Sequence, residues 1–239
     1  MTGRPSLAWL VEHPIAHRGL HDRTQGRPEN SMAAFRAAIA GNYAIECDLQ
    51  PSADGVPMVF HDDELDRLTG ATGNIRDRAS AELSGLRLSD TPETIPSLAD
   101  LLAETAGKVS LILELKSQKG RDGGFARAVA DLLEGYGGPV AAMSFEAALM
   151  ADFREAAPDL HRGLVAEGDW RSFLEVMSAI VRCKAQFMSY SIDDLPTPAP
   201  VLAHRVLGLP LICWTVRTEA DVRKAERWTD QITFEGFIP

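Results

Sequence analysis

The amino-acid sequence predicts an α/β protein of the TIM-type (β/α)8 class with one small insertion after its second strand. Short apolar, strand-like runs alternate with helical stretches along the whole chain, which is the pattern of a parallel sheet crossed by helices. The runs number eight, and eight parallel strands close a barrel. The length, 239 residues, is near that of a single barrel, and no repeat, low-complexity tract or linker divides the chain. A single domain over 1–239 is therefore expected.

The elements follow in order. Run 14–17 (PIAH) is the first strand, and Pro28-Glu29-Asn30-Ser31 sets a polar cap ahead of a helix over 31–41 that Gly41 closes. Strand runs 44–49 (AIECDL), 110–116 (SLILELK) and 140–144 (VAAMS) come next, then 162–166 (RGLVA), 186–191 (QFMSYS), 210–216 (PLICWTV) and 231–235 (QITFE). Helical stretches at 97–107, 124–135, 145–156, 170–183, 198–207 and 218–228 separate them.

One apolar run breaks the alternation. Only residues 49–55 lie between Asp48 and the run VPMVFH, and a parallel crossover needs about a dozen residues or more. Asp54-Gly55 is a hairpin turn signal, so 56–61 is expected to fold back antiparallel on the second strand. A turn centred there sets position 60 or 61 opposite 47 or 48 and returns His61 to Asp48.

Composition excludes several function classes. With 45 % apolar and 24 % charged residues the chain reads as an ordinary globular protein. A net charge of −10 argues against a nucleic-acid surface, which needs a clustered basic face. Cys47, Cys183 and Cys213 are isolated and odd in number, as expected of reduced, mostly buried thiols. The stretch 1–14 has no apolar segment of signal-peptide length, and no run reaches about 18 apolar residues, so no integral membrane segment and a cytoplasmic location are expected.

The chemistry gathers at predicted strand ends. Residues two apart on a strand share a face, so Glu46 and Asp48 point one way and Cys47 the other. In the next barrel strand Glu114 and Lys116 share a face likewise. Three carboxylates at one mouth do not all ionise without a cation. A hard divalent ion with oxygen ligands, calcium or magnesium, answers that need, and no histidine or cysteine cluster has zinc spacing. His17 and Arg18 end the first strand, with Gly19 easing the turn, and His61 returns to the same mouth. Two histidines flanking an ion can divide general base and general acid. Arg18 and Lys116 either balance the carboxylates or receive an anionic group. Trp214 either walls the mouth against an alcohol or glycerol moiety or packs in the core, and Glu29 either caps the first helix or orients a group at the site. His13, His21, His161 and His204 are expected at the surface or in packing.

These residues occur as AHRG (16–19), PENS (28–31), IECDLQPSADGVPMVFHDDELDRLTGATG (45–73), IPSLADLL (95–102), LILELK (111–116), SF (144–145) and CWTV (213–216). That order and spacing resembles the glycerophosphodiester phosphodiesterases, most specifically over the first half of the chain. The resemblance implies a barrel with an insertion at roughly 50–95. It implies metal-dependent hydrolysis of small glycerophosphodiesters, the deacylated phospholipids, to glycerol 3-phosphate and an alcohol. Carried over by position, His17 and His61 resemble the acid/base pair and Glu46, Asp48 and Glu114 the divalent-metal ligands. Arg18 and Lys116 match the phosphate-contacting cations, and Glu29 and Trp214 resemble residues lining the site. The sequence chooses neither the ion, the alcohol nor the oligomeric state.

One departure concerns the last strand, which in that family commonly ends Thr-Asp. Here QITFEG carries Phe234 at the aspartate position and Glu235 after it, and a one-residue shift reverses facing, so Glu235 is not expected to substitute. Two rival readings are a lysophospholipase D or sphingomyelinase D-like lipase on the same scaffold, and a silent barrel that only binds a phosphoryl ligand. An aromatic content of 7 % and no clear amphipathic membrane-binding segment favour water-soluble substrates over the first. The presence of both His17 and His61 speaks against the second.

Overall fold

A computed structural model describes residues 7–239; the first six residues of the stretch 1–14 lie outside it. The strands are β1 (Ile15–Ala16), β2 (Ala44–Pro51), β3 (Pro57–Val59), β4 (Leu111–Leu115), β5 (Val140–Ser144), β6 (His161–Ala166), β7 (Phe187–Ser191), β8 (Leu211–Val216) and β9 (Gln231–Phe234). The helices are α1 (Met32–Ala40), α2 (Ser80–Leu83), α3 (Leu98–Thr105), α4 (Phe125–Leu133), α5 (Ala147–Ala156), α6 (Phe173–Cys183), α7 (Pro198–Arg205) and α8 (Glu219–Trp228). All strands but β3 pair parallel, and β1 pairs with both β9 and β2, which closes the barrel. Four of the α-helices start on side-chain caps that satisfy otherwise orphaned N–H groups: Ser31 for α1, Glu146 for α5, and capping boxes Ser97/Asp100 for α3 and Thr218/Asp221 for α8.

Each barrel strand is buried on both faces, as parallel sheets require. On β2, Ile45, Cys47 and Leu49 pack outward with the helices, and Ala44, Glu46 and Asp48 take the opposite face. The inner layer below the mouth is apolar: Ile15, Ala44, Ile112, Ala141, Met143, Val165, Phe187 and Ile212, with Leu10 from the N-terminal stretch. Gly163 is required there, because a Cβ would lie 2.4 Å from the Phe187 ring. His161 joins the same end of β6 and packs near Trp9, with ring centroids 6.2 Å apart.

β3 runs antiparallel to β2, with Leu49 opposite Val59 and Pro51 opposite Pro57. Phe60 N–H continues the ladder to the Asp48 carbonyl at 3.0 Å, so His61 emerges at the mouth one residue later. Residues that follow build a satellite core of Met58, Phe60, Leu65, Leu68, Ile75, Leu83, Leu88 and Ile95. Buried Arg76 ties this segment to the barrel, donating to Gln50 Oε1 (3.1 Å), the Lys116 carbonyl (2.7 Å) and Asp122 Oδ1 (2.7 Å).

Candidate active site

The site is assembled by strand register. Asp48 pairs directly with Glu114 across β2 and β4, and Glu46 lies two residues earlier on the inward face of β2. One carboxylate oxygen from each of Glu46, Asp48 and Glu114 lies within 4.8 Å of the other two. Two oxygens bound to one calcium ion at about 2.3–2.6 Å each can be at most about 5 Å apart, so the three fit a shared divalent ion.

The electrostatics point the same way. Glu46 is buried; its Oε2 accepts the Arg18 N–H at 2.9 Å, and its Oε1 has no hydrogen-bond partner among the described residues. Burial, then the charges of Asp48 and Glu114, push the Glu46 carboxyl well above its ordinary range. Burial would also raise Asp48, but Lys116 and Arg18, with His61 and His17, outweigh it and hold Asp48 low. Lys116 Nζ donates to Glu114 Oε1 at 2.8 Å and lies 3.6 Å from Asp48 Oδ1. Asn30 Nδ2 donates to Asp48 Oδ2 at 2.9 Å. The protein's own cations thus cover Asp48 and Glu114 and leave Glu46 undercompensated.

Arg18 sits at the turn after β1 with φ +55°, a left-handed backbone that costs a non-glycine residue about 1–2 kcal/mol. That conformation aims its N–H at Glu46. Gly19 follows at φ +77°, where a Cβ would meet Phe35 at 2.9 Å and Ala34 at 3.0 Å, so only glycine lets α1 close against the turn. The Arg18 guanidinium donates to Glu29 Oε1 at 2.5 Å, with Nε 3.3 Å from Asp48 Oδ2.

Each histidine is held through Nδ1 by a carboxylate. His17 Nδ1 donates to Glu235 Oε2 at 2.6 Å, and its Nε2 lies 4.0 Å from Glu46 Oε2. His61 Nδ1 donates to Asp62 Oδ1 at 2.7 Å. Arg67 in turn grips Asp62 Oδ2 at 2.5 Å and Glu29 Oε1 at 2.8 Å, joining the His61 side to the Arg18 side.

His17, Arg18, Glu46, Asp48, His61, Glu114, Lys116 and Trp214 all line one cavity of about 260 Å³. Beside the ionic wall the lining includes Met143, Phe145 and Trp214, with Lys116 Nζ 6.0 Å from the Phe145 ring centroid, and Arg217 also borders the cavity. Of the two readings for Trp214, the mouth is the one observed, with its ring edge-on to Phe145 at 5.6 Å. Glu29 lies behind the wall rather than in it. It does not cap α1, a role taken by Ser31, but bridges Arg18 and Arg67.

One expectation is corrected. Glu235 does not turn away from the site: β9 ends at Phe234, whose ring packs in the outer core, and the next residue returns inward beside His17. His21, expected at the surface or in packing, lies with its Nε2 3.6 Å from Glu235 Oε2. Burial would raise the Glu235 carboxyl, but the hydrogen bond from His17, with His21 close by and Arg217 bonded to the other oxygen, outweighs it and holds Glu235 far below the ordinary range. Asn30, Asp62, Arg67 and Arg217 also contact site residues. Asn30 and Asp62 adjoin candidate residues in the sequence, whereas nothing local marks Arg67 or Arg217.

Residues 17–232 match the model of the glycerophosphoryl diester phosphodiesterase family. The chain belongs to that family. Membership makes it a phosphoric diester hydrolase. It is 27 % identical over 220 residues to a glycerophosphodiester phosphodiesterase of Caldanaerobacter subterraneus subsp. tengcongensis, covering 88 % of each chain. A 100-residue stretch is 42 % identical to bovine glycerophosphodiester phosphodiesterase 1, covering 38 % of this chain and 29 % of that protein. The fold also matches an Oleispira antarctica phosphodiesterase solved in complex with the product sn-glycerol-3-phosphate, with a TM-score of 0.83 and 23 % identity, over 95 % of this chain and 93 % of that one.

Proposed function

We propose that this enzyme hydrolyses water-soluble glycerophosphodiesters to glycerol 3-phosphate and an alcohol, with a divalent cation, magnesium or calcium, held by Glu46, Asp48 and Glu114. The observation that carries the reading is the meeting in one cavity of three clustered carboxylates and two histidines. The product named for the Oleispira antarctica relative supports the choice of substrate class. When bound, the cation supplies Lewis-acid stabilisation of charge growing on the phosphoryl oxygens.

The chain's own residues do the rest. Arg18 and Lys116 receive the phosphodiester anion, one by a planar fork and one as a point charge. Ionised Asp62 only accepts hydrogen bonds, so it keeps the proton of His61 on Nδ1 and leaves Nε2 for exchange with the substrate. One histidine takes the proton of the attacking group and the other gives a proton to the leaving alkoxide. The attacking group is the glycerol 2-hydroxyl, by way of a cyclic phosphate, or water directly; phosphorus NMR of the reaction mixture distinguishes them by the cyclic species. Phe145 and Trp214 wall the apolar side of the cavity.

A second reading is favoured by one observation. Phe145 also lines a neighbouring groove that mixes Leu164, Val165, Ala166 and Val176 with Glu146, Glu167, Glu175 and Arg182, and Phe145 itself is 45 % exposed. Its apolar share, with Phe145 at the junction to the cavity, is the part that would meet a single acyl chain, as in a lysophospholipid. Glycerol 3-phosphate release from glycerophosphocholine and glycerophosphoethanolamine, set beside choline release from lysophosphatidylcholine, separates the two. Release from the soluble substrates with little from the lysolipid is expected; the reverse order overturns the first reading.

A further inference from the structure

The last strand of the barrel carries an ionisable group to which no role in the reaction has been given. Ile15 pairs with Thr233 and Ala16 with Phe234 on β1 and β9, and His17 N–H donates to the Phe234 carbonyl at 3.0 Å. The next residue on each chain is therefore His17 and Glu235, side by side and facing inward. Phe234 anchors this register, packing edge-on against Tyr43 and Phe237 in the outer core. Glu235 N–H is itself tied to the Val216 carbonyl at 3.1 Å.

The two carboxylate oxygens of Glu235 have different partners. Oε2 accepts from His17 Nδ1 at 2.6 Å, and Oε1 accepts from Arg217 Nε at 2.6 Å. Glu235 is not among the residues lining the cavity, whereas His17 and Arg217 are. Any effect on the reaction thus passes through His17 or Arg217, and only the route through His17 sets an imidazole tautomer.

We propose that Glu235 is the positioning residue of His17: it holds the imidazole with Nδ1 protonated and Nε2 turned to the cavity, while Arg217 fixes the carboxylate in place. This rests on the reading of His17 as a proton-transfer group. A carboxylate is needed rather than an amide because both neighbours donate. Arg217 Nε–H can only donate, so in Glu235→Gln the single amide oxygen serves Arg217 and the amide NH2 faces His17. That NH2 requires a lone pair on Nδ1 and drives the imidazole proton to Nε2, the wrong tautomer for accepting a proton from the cavity.

The test uses the full chain with Glu235→Gln, which fills the same volume, and Glu235→Asp, which keeps the charge. Turnover of glycerophosphocholine is expected to fall about 10- to 100-fold in kcat for Glu235→Gln, with KM within about threefold, and Glu235→Asp is expected to lie between it and the wild type. Nitrogen-15 NMR of the imidazoles at alkaline pH, with the His17 signals identified by their loss in His17→Asn, is expected to show Nδ1–H in the wild type and Nε2–H in Glu235→Gln. An unchanged Nδ1–H signature, a kcat within about twofold of wild type, or a loss confined to KM overturns the proposal. The NMR arm needs no turnover. A wild type that cleaves no glycerophosphodiester therefore defeats the functional reading, and an unshifted tautomer defeats this one.

Discussion

Asp48 and Glu114 stand directly opposite each other on neighbouring parallel strands, both buried and both acidic. Like charges in that relation destabilise a sheet unless something positive lies between them. Lys116 covers part of the charge, and Glu46 two residues before Asp48 restores the excess. The cluster is therefore a stability cost that the proposed cation would convert into affinity.

Glu46 reports that cost. Its carboxyl is raised in the folded state, so the metal-free protein loses stability as pH climbs from the ordinary glutamic-acid range through the raised value. In chelator at about pH 7.5, Glu46→Gln is expected to melt about 2–4 °C above wild type, a margin that closes near about pH 4. Added calcium is expected to raise the wild-type melting temperature and to reverse the order, because the variant lacks a ligand. A thermal melt with and without calcium checks both.

On the proposed reading, His17→Ala and His61→Ala remove one proton-transfer group each. Each is expected to lower kcat by about 10²–10⁴-fold while the calcium-dependent rise in melting temperature persists. Full turnover in either variant removes that histidine from the mechanism.

Arg76 holds the segment after β3 onto the barrel through Gln50, Asp122 and the Lys116 carbonyl. Arg76→Met leaves those acceptors without their buried donor and is expected to cost about 2–3 kcal/mol in denaturant unfolding. Because Lys116 and His61 flank that junction, its kcat is expected to fall as well.

Asp54 at the hairpin turn accepts from Ser52 Oγ and from Ser80 N–H, and these hydrogen bonds lower its pKa to about 2. A lowered carboxyl stabilises the fold above the ordinary aspartate range and ceases to do so as pH falls through the lowered value. Asp54→Asn is expected to be less stable than wild type at neutral pH, with the difference fading between pH 3.8 and about 2 in an acid melt.

Most of the architecture was legible because its signals are local. The run 140–144 is β5 residue for residue, and the seven-residue gap after Asp48 rules out a parallel crossover from the sequence alone. Where limits moved, a neighbour moved them: β2 extends to Pro51 because β3 pairs with it, and residues 170–172 form a separate turn in which Asp169 accepts from Arg171 N–H. The seam of the barrel was not legible. His17 and Glu235 are 218 residues apart, and the register between first and last strands follows from closure of all the strands between. Shifting Glu235 along its own strand says which face it takes only once the end of β9 is known. Arg67 likewise reaches Glu29 across 38 residues, with no local pattern to mark the pair.

The most direct test of the site is glycerol 3-phosphate release from glycerophosphocholine before chelation, after verified removal of divalent ions, and after re-addition of calcium or magnesium. Turnover lost on removal and restored by one of the two ions is the predicted result. Turnover unchanged in the metal-free protein would contradict the assignment of Glu46, Asp48 and Glu114 as the cradle of a catalytic cation.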